Sequence, residues 1–248
     1  VKVHEDEVHV PAPDGTIRTL VISPVGAGTG TARRQAVLLY TDIFQLTEST
    51  LRTARRLAAA GFVVYVPEIY PHGDLAGVAL EFDDAGKQAG LGGAAATTTA
   101  QFDADRVAVL DAMQQNPDVD ELLAVGFCIG GHLAFRAAFD PRVAAAVCFY
   151  PTGLHNGALG ADPDAGTLGA ASAIRGRLMI VFGSRDPHVP ADARLRIVSA
   201  LYDAGLEDLE LHVWSGGEHA FMRDVGARYD PALTDLALAE AVSFLSGR

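Results

Sequence analysis

Gly126-Phe127-Cys128-Ile129-Gly130-Gly131 sets a cysteine between glycines two residues before and two residues after it. This is the spacing of a nucleophile elbow, G-x-S-x-G, with sulfur in place of oxygen. The spacing has a physical reason. A nucleophile raised on a tight, strained turn needs neighbours without side chains where the strand and the following helix cross. The turn aims Cys128 away from the sheet, at the ligand side of the strand ends. A helix that begins directly beneath the sulfur favours a thiolate there. The plainer account is packing, since cysteine is among the most buried residue types and a glycine-rich turn can be purely structural.

Two further residues extend the elbow into a candidate triad. Gly183-Ser184-Arg185-Asp186-Pro187 follows the apolar run Leu178–Phe182 and places a carboxylate at a strand end. Gly216-Gly217-Glu218-His219-Ala220-Phe221 follows Leu209–Val213 and places an imidazole in a loop before the last helix. Nucleophile, acid and base then come in the order Cys128, Asp186, His219, the chain order of the α/β-hydrolases. Asp186 could instead cap a helix beginning near Pro190, and His219 could be a hydrogen-bonded core histidine. Three such residues in that order, each after a separate strand, favour the triad over coincidence.

The elements that must hold these residues read as short β-branched runs alternating with helical stretches. That is the pattern of a mostly parallel sheet with helices on both faces. Val8–Pro11 and Ile17–Ser23 flank Pro13-Asp14-Gly15 and are expected as an antiparallel hairpin at one edge. A Gly/Thr-rich linker at 26–31 leads to the strand Ala36–Tyr40. A helix from about Thr47 to Ala60 turns Leu51, Ala54 and Leu57 inward, leaves Arg52, Arg55 and Arg56 on a solvated face, and stops at Gly61. The strand Phe62–Val66, the helix Phe102–Met113, the strand Leu122–Val125 and the helix His132–Phe139 follow. The strands Val143–Tyr150, Leu178–Phe182 and Leu209–Val213 continue the series, and Leu233, Ala237, Ala241 and Phe244 mark a closing helix. Residues 73–100 and 152–172 break this rhythm. Rich in small residues and too long for ordinary connections, each is expected as a substrate-covering loop or a poorly ordered insertion. Residues 1–248 are read as a single α/β domain.

Of the 248 residues, 49% are hydrophobic and 20% charged, which excludes disorder as the main state. A net charge of −12 repels phosphate backbones and anionic lipid, so neither a nucleic acid nor a membrane is expected as partner. Apolar runs such as Ala144–Tyr150 fall far short of the ~18 residues of a spanning helix. Val1–Val10 carries charges where a secretory signal has an apolar core, and the expected location is the cytoplasm. Two cysteines make no disulfide framework, and Cys148, in an apolar strand, reads as packing. His132, opening the helix behind Cys128, reads as a scaffold contact. His188 and Glu68 could line a pocket, but the clustered Cys/His spacing of a zinc site is missing, and no metal or cofactor is expected. Tyr70 and Tyr150 end strands on the ligand side and are candidate substrate contacts. Oligomeric state is not legible.

With these residues in view, the chain resembles the dienelactone hydrolase family, the cysteine-nucleophile branch of the α/β-hydrolases, from about Val10 to Phe244. GFCIGGHLAF at 126–135, GSRDPHVP at 183–190 and EHAFMR at 218–223 carry the resemblance. It implies an α/β-hydrolase fold with Cys128 as nucleophile, His219 as base and Asp186 as orienting acid. It also implies a carboxylate after the third strand that accepts a hydrogen bond from the resting thiol. Thr41-Asp42-Ile43-Phe44 puts Asp42 where the family has glutamate, one methylene shorter, or roughly 1.5 Å of reach. Of two family arginines that bind a substrate carboxylate, Arg223 matches one, and His72 stands at the position of the other. The expected activity is hydrolysis of a small-molecule lactone or activated ester, with an anionic group on the substrate, through a thioester acyl-enzyme. The backbone N–H groups of Ile129 and Ile43 are expected to hold the oxyanion. The alternatives are a ligand-binding module with a vestigial triad and a thiol-redox centre on the same fold. Disulfide cycling is disfavoured because no second cysteine lies near the elbow.

Overall fold

A computed structural model describes residues 1–25 and 34–247, so the linker at 26–31 lies outside the described residues. β1 (Val3–Ala12) and β2 (Gly15–Pro24) pair antiparallel from Val3 opposite Pro24 to Ala12 opposite Gly15. The hairpin is longer than the hydrophobic pattern suggests. Its first strand runs through Glu5, Asp6 and Glu7 at the sheet's edge, where charge discourages pairing with another chain.

Six more strands complete the sheet: β3 (Arg34–Tyr40), β4 (Val63–Pro67), β5 (Val119–Phe127), β6 (Val143–Phe149), β7 (Arg177–Gly183) and β8 (Leu209–Trp214). The spatial order is β1-β2-β4-β3-β5-β6-β7-β8, with β2 antiparallel to β4 and every pair from β4 to β8 parallel. The helices are α1 (Glu48–Ala59), α2 (Asp84–Ala96), α3 (Thr99–Gln115), α4 (Ile129–Ala137), α5 (Ala191–Asp203) and α6 (Pro231–Leu245).

Alternation along the strands splits the core into two layers. Leu38, Tyr40, Leu122, Ala124, Ile180 and Phe182 pack with α3, α4 and α5 on one face. Val37, Leu39, Val125, Val147 and Val181 pack with α1 and α6 on the other. Each fully buried Leu, Ile or Phe contributes about 1.5–3 kcal/mol, so the central strands form a stiff frame from which the loops at their C-terminal ends are hung.

The two long segments are more structured than composition suggests. Residues 73–100 contain α2, capped by Asp83, whose carboxylate accepts the Gly86 N–H at 2.7 Å. The glycine at 90 is required by close approach: a Cβ there would lie 2.4 Å from the Ile43 carbonyl oxygen, so α2 rests on the loop after β3. Residues 152–172 form a strap with little regular structure, pinned where Asp162 accepts the Thr99 N–H at 2.7 Å. A short 3₁₀ helix, Leu168–Ala173, closes it. α4 starts at Ile129, earlier than His132, because the elbow turns straight into the helix.

Candidate active site

Cys128 sits between β5 and α4 with φ +59° and ψ −121°, a left-handed backbone that costs a non-glycine residue about 1–3 kcal/mol. The surroundings enforce it. Its N–H donates to the Phe149 carbonyl at 3.1 Å, and its own carbonyl accepts the N–H groups of Gly131 and Thr152 at 3.0 and 3.2 Å. The flanking glycines are steric necessities. A Cβ on Gly126 would lie 1.9 Å from the Gly130 oxygen, and one on Gly130 would lie 2.2 Å from the Thr41 oxygen. Among the described residues, the non-glycine positions with left-handed φ are Gln45, Cys128, Tyr150 and Ala220. All four lie in the loops that meet at this end of the sheet.

Asp186 and His219 arrive on loops that are stitched together. Arg185 N–H donates to the Gly217 carbonyl at 2.9 Å, and Gly216 N–H donates to Ser184 Oγ at 2.9 Å. His219 Nδ1 donates to Asp186 Oδ2 at 2.8 Å, which leaves Nε2 for the sulfur. The other carboxylate oxygen, Oδ1, accepts the backbone N–H groups of His188 and Val189 at 2.7 and 3.3 Å. Asp186 therefore both orders its own loop and anchors the imidazole. Burial opposes its charge, but the bond to His219 and these amides hold the carboxyl below its usual range.

His219 is 6% exposed. Burial alone would discharge it. Interaction with the Cys128 sulfur and with the hydrogen-bonded Asp186 outweighs that penalty and raises its pKa to about 9. The Tyr150 ring meets His219 edge-on at 5.1 Å between centroids. His188 packs its own ring 4.5 Å from that of His219, and burial and the neighbouring imidazole lower its pKa.

The remaining sequence candidates divide. Tyr70 is 2% exposed, and its hydroxyl has no hydrogen-bond partner among the described residues. Burial, with the negative charges of Cys128 and Asp42 nearby, pushes its pKa up. The amides of Ile43 and Ile129 find no acceptor among the described residues. Arg223 lies over the rings of Phe44 and Phe82, its guanidinium carbon 5.0 and 4.8 Å from their centroids. Its Nε has no partner among the described residues, and Nη1 reaches Asp42 Oδ2 only at 3.5 Å.

Asp42 departs from expectation. Its short side chain folds back so that Oδ1 accepts the Phe44 N–H at 2.9 Å, and Oδ2 faces Arg223. Thr152 Oγ1, 3.7 Å away, is the hydrogen-bonding neighbour of Cys128 Sγ in the position read for Asp42. His72 turns elsewhere as well: Nε2 lies 3.0 Å from Asp105 Oδ1 of α3, and the ring lines a groove of about 450 Å³ with Tyr70, Leu75 and Gly93. Glu68 is engaged by the Gly77 N–H and by Arg18. His132 is fully buried between Thr152 and Thr167, a scaffold position. Cys148 is fully buried, and burial pushes its thiol well up.

Two contributors carried no motif. Gln45 donates to the carbonyls of Leu75 and Val78 at 2.7 and 3.0 Å and accepts the Tyr70 N–H at 3.1 Å, fixing Tyr70 from the loop after β3. Thr152 follows β6 in a segment whose composition suggested only a loop; its place directly after a strand end was the available signal.

The sheet, the tight turn after β5 and the loops after β7 and β8 that bring Asp186 and His219 together are those of an α/β-hydrolase fold. Residues 17–247 match the dienelactone hydrolase family. The chain is 35% identical over 230 residues to a Saccharomyces cerevisiae protein named "Putative carboxymethylenebutenolidase", covering 90% of this chain and 84% of that one. It is 27% identical over 218 residues to the carboxymethylenebutenolidase of a Pseudomonas species, covering 86% and 84%. The crystal structure of a dienelactone hydrolase-like promiscuous phosphotriesterase from metagenomic libraries superposes with a TM-score of 0.80 at 21% identity, covering 100% of this chain and 99% of that one. The chain belongs to the dienelactone hydrolase family and is a carboxylic ester hydrolase with a small-molecule substrate. Among the described residues no helix is long and apolar enough to cross a membrane.

Proposed function

We propose that the protein hydrolyses lactones or activated esters of small carboxylic acids through a Cys128–His219–Asp186 triad and a thioester acyl-enzyme. The observation that carries this reading is the hydrogen bond that ties His219 Nδ1 to Asp186 at 2.8 Å and leaves Nε2 for the sulfur. Asp186 fixes the tautomer, and His219 takes the Cys128 proton to give the attacking thiolate. The thiolate attacks the ester carbonyl, and the negative charge on its oxygen meets the amides of Ile43 and Ile129. Losing one such donor typically costs about 10²–10³ in rate. His219 protonates the leaving alkoxide, then takes a proton from the water that attacks the thioester, and the acid departs as Cys128 is regenerated.

An amide is a poor substrate for this machinery. Its tetrahedral intermediate expels sulfur more readily than an unprotonated amine, so the reading favours esterase or lactonase over peptidase chemistry. The Arg223 guanidinium, planar against two rings and with donors to spare, suits a carboxylate on the substrate. The names carried by the relatives suggest an enol-lactone substrate, and Tyr70 and Tyr150 are read as its walls.

The test is a panel of enol lactones and p-nitrophenyl esters, with and without a carboxylate, assayed beside Cys128→Ala. Turnover by the parent enzyme and none by the variant is expected. Saturable binding without turnover would instead indicate a ligand-binding module. Cys148, walled in by the core, offers no resolving thiol for a redox cycle.

A further inference from the structure

The strap at 152–172 enters the site through one residue. Thr152 Oγ1 lies 3.7 Å from Cys128 Sγ, and among the described residues this hydroxyl has no other hydrogen-bond partner. The backbone of Thr152 is fixed on both sides. Its N–H donates to the Cys128 carbonyl at 3.2 Å, and its carbonyl accepts from His132 Nδ1 at 3.0 Å.

The proton directions behind Thr152 follow from chemistry. A carbonyl only accepts, so the His132 proton sits on Nδ1. Burial keeps this ring neutral, its pKa lowered to about 4, and Nε2 is therefore an acceptor. It receives the Thr167 hydroxyl at 2.8 Å, and Thr167 Oγ1 in turn accepts Arg136 Nη1 at 2.9 Å. Arg136 is forked onto the Asp103 carboxylate of α3. Every bond in this chain points one way, from the Asp103–Arg136 pair to the peptide that carries the Thr152 hydroxyl. Meanwhile Asp42 turns Oδ1 to the Phe44 amide at 2.9 Å and Oδ2 toward Arg223 at 3.5 Å.

We infer that the Thr152 hydroxyl, held in place by His132, Thr167, Arg136 and Asp103, donates a hydrogen bond to the resting sulfur of Cys128, orienting it and favouring its thiolate. The inference rests on the reading of Cys128 as nucleophile. A thiolate has no proton to give, so in the ion pair with His219 the hydroxyl must be the donor. Once the sulfur is acylated the bond weakens, and the hydroxyl is released. Among the described residues, the titratable groups around the sulfur include His219, Tyr70, Tyr150 and Asp42, and the test leaves all four in place.

The experiment is alkylation of the full-length protein by iodoacetamide as a function of pH, in the parent, Thr152→Val and Thr152→Ser. Cys128→Ala serves as the control that locates the reaction. In Thr152→Val the rate at pH 6 should fall about tenfold, the scale of one charge-assisted hydrogen bond, and rejoin the parent rate near pH 9. Thr152→Ser should stay within about twofold of the parent throughout. If Thr152→Val does not fold, Thr152→Ala removes the hydroxyl without the branched side chain and should give the same profile. A hydroxyl-free variant whose profile superimposes on the parent overturns the inference, as does a folded Thr152→Ser as impaired as Thr152→Val. Failure of the nucleophile reading looks different: Cys128→Ala would hydrolyse esters at the parent rate.

Discussion

Two cysteines sit on adjacent strands, and the register places Gly126, two residues before Cys128, opposite Cys148. Their surroundings have nothing in common. Cys148 lies inside its strand with no exposed surface, and burial in hydrocarbon disfavours its charged form. Cys128 is the residue directly after the end of its strand, half-buried, on a left-handed backbone, beside an imidazole and a hydroxyl. On the proposed reading, reactivity is a property of position. The strand end supplies room, the helix start supplies backbone amides, and the adjoining loops supply His219 and Asp186.

The sharpest way to break this contrast is to exchange the roles. Cys128→Ala should lower p-nitrophenyl ester turnover about 10⁴-fold or more, as loss of a triad nucleophile does, with the fold intact by circular dichroism. Asp186→Asn should cost about 10²–10⁴ in kcat, because the imidazole loses the partner that fixes its tautomer. Gly130→Ala tests the elbow itself. With backbone 2.2 Å from the new methyl, the strand–helix crossing must open, and a loss of about 3 kcal/mol or more should appear in chemical denaturation.

A smaller effect follows from His219. Its pKa is 6.5 when unperturbed and about 9 in the fold, so the proton is held more tightly in the folded state. The associated stability is present in full below pH 6.5 and is lost as pH rises through 9. Melting temperature should fall across that window, and the fall should be shallower in Asp186→Asn. The smallest effect is expected at Cys148→Ala. It should leave turnover within about twofold while costing roughly 1 kcal/mol from the core. A large loss of kcat there would erase the contrast between the two thiols.

Much of this arrangement was legible before any coordinates. β-branched runs marked the central strands because strands covered on both faces are apolar throughout. The elbow glycines and the order of Cys128, Asp186 and His219 marked the candidate site because backbone crossings and loop positions leave fixed spacings. What stayed hidden was chemistry decided by direction. α2 escaped notice because glycines and alanines give it no apolar stripe; its small residues serve close approach to the Ile43 backbone. Asp42 carried a family position, but its short chain bonds its own loop at the Phe44 amide instead of reaching the sulfur. Thr152 and Gln45 act through hydrogen bonds to residues twenty or more positions away, which spacing along the chain does not encode.

The central claim is that Cys128 carries the acyl group, and it can be read directly. The enzyme is mixed with p-nitrophenyl acetate, acid-quenched within the first turnovers and mapped by peptide mass spectrometry. Acetyl on the Cys128 peptide, absent from Cys128→Ala and from the Cys148 peptide, is the result expected. Acetyl on another residue during productive turnover would contradict the account.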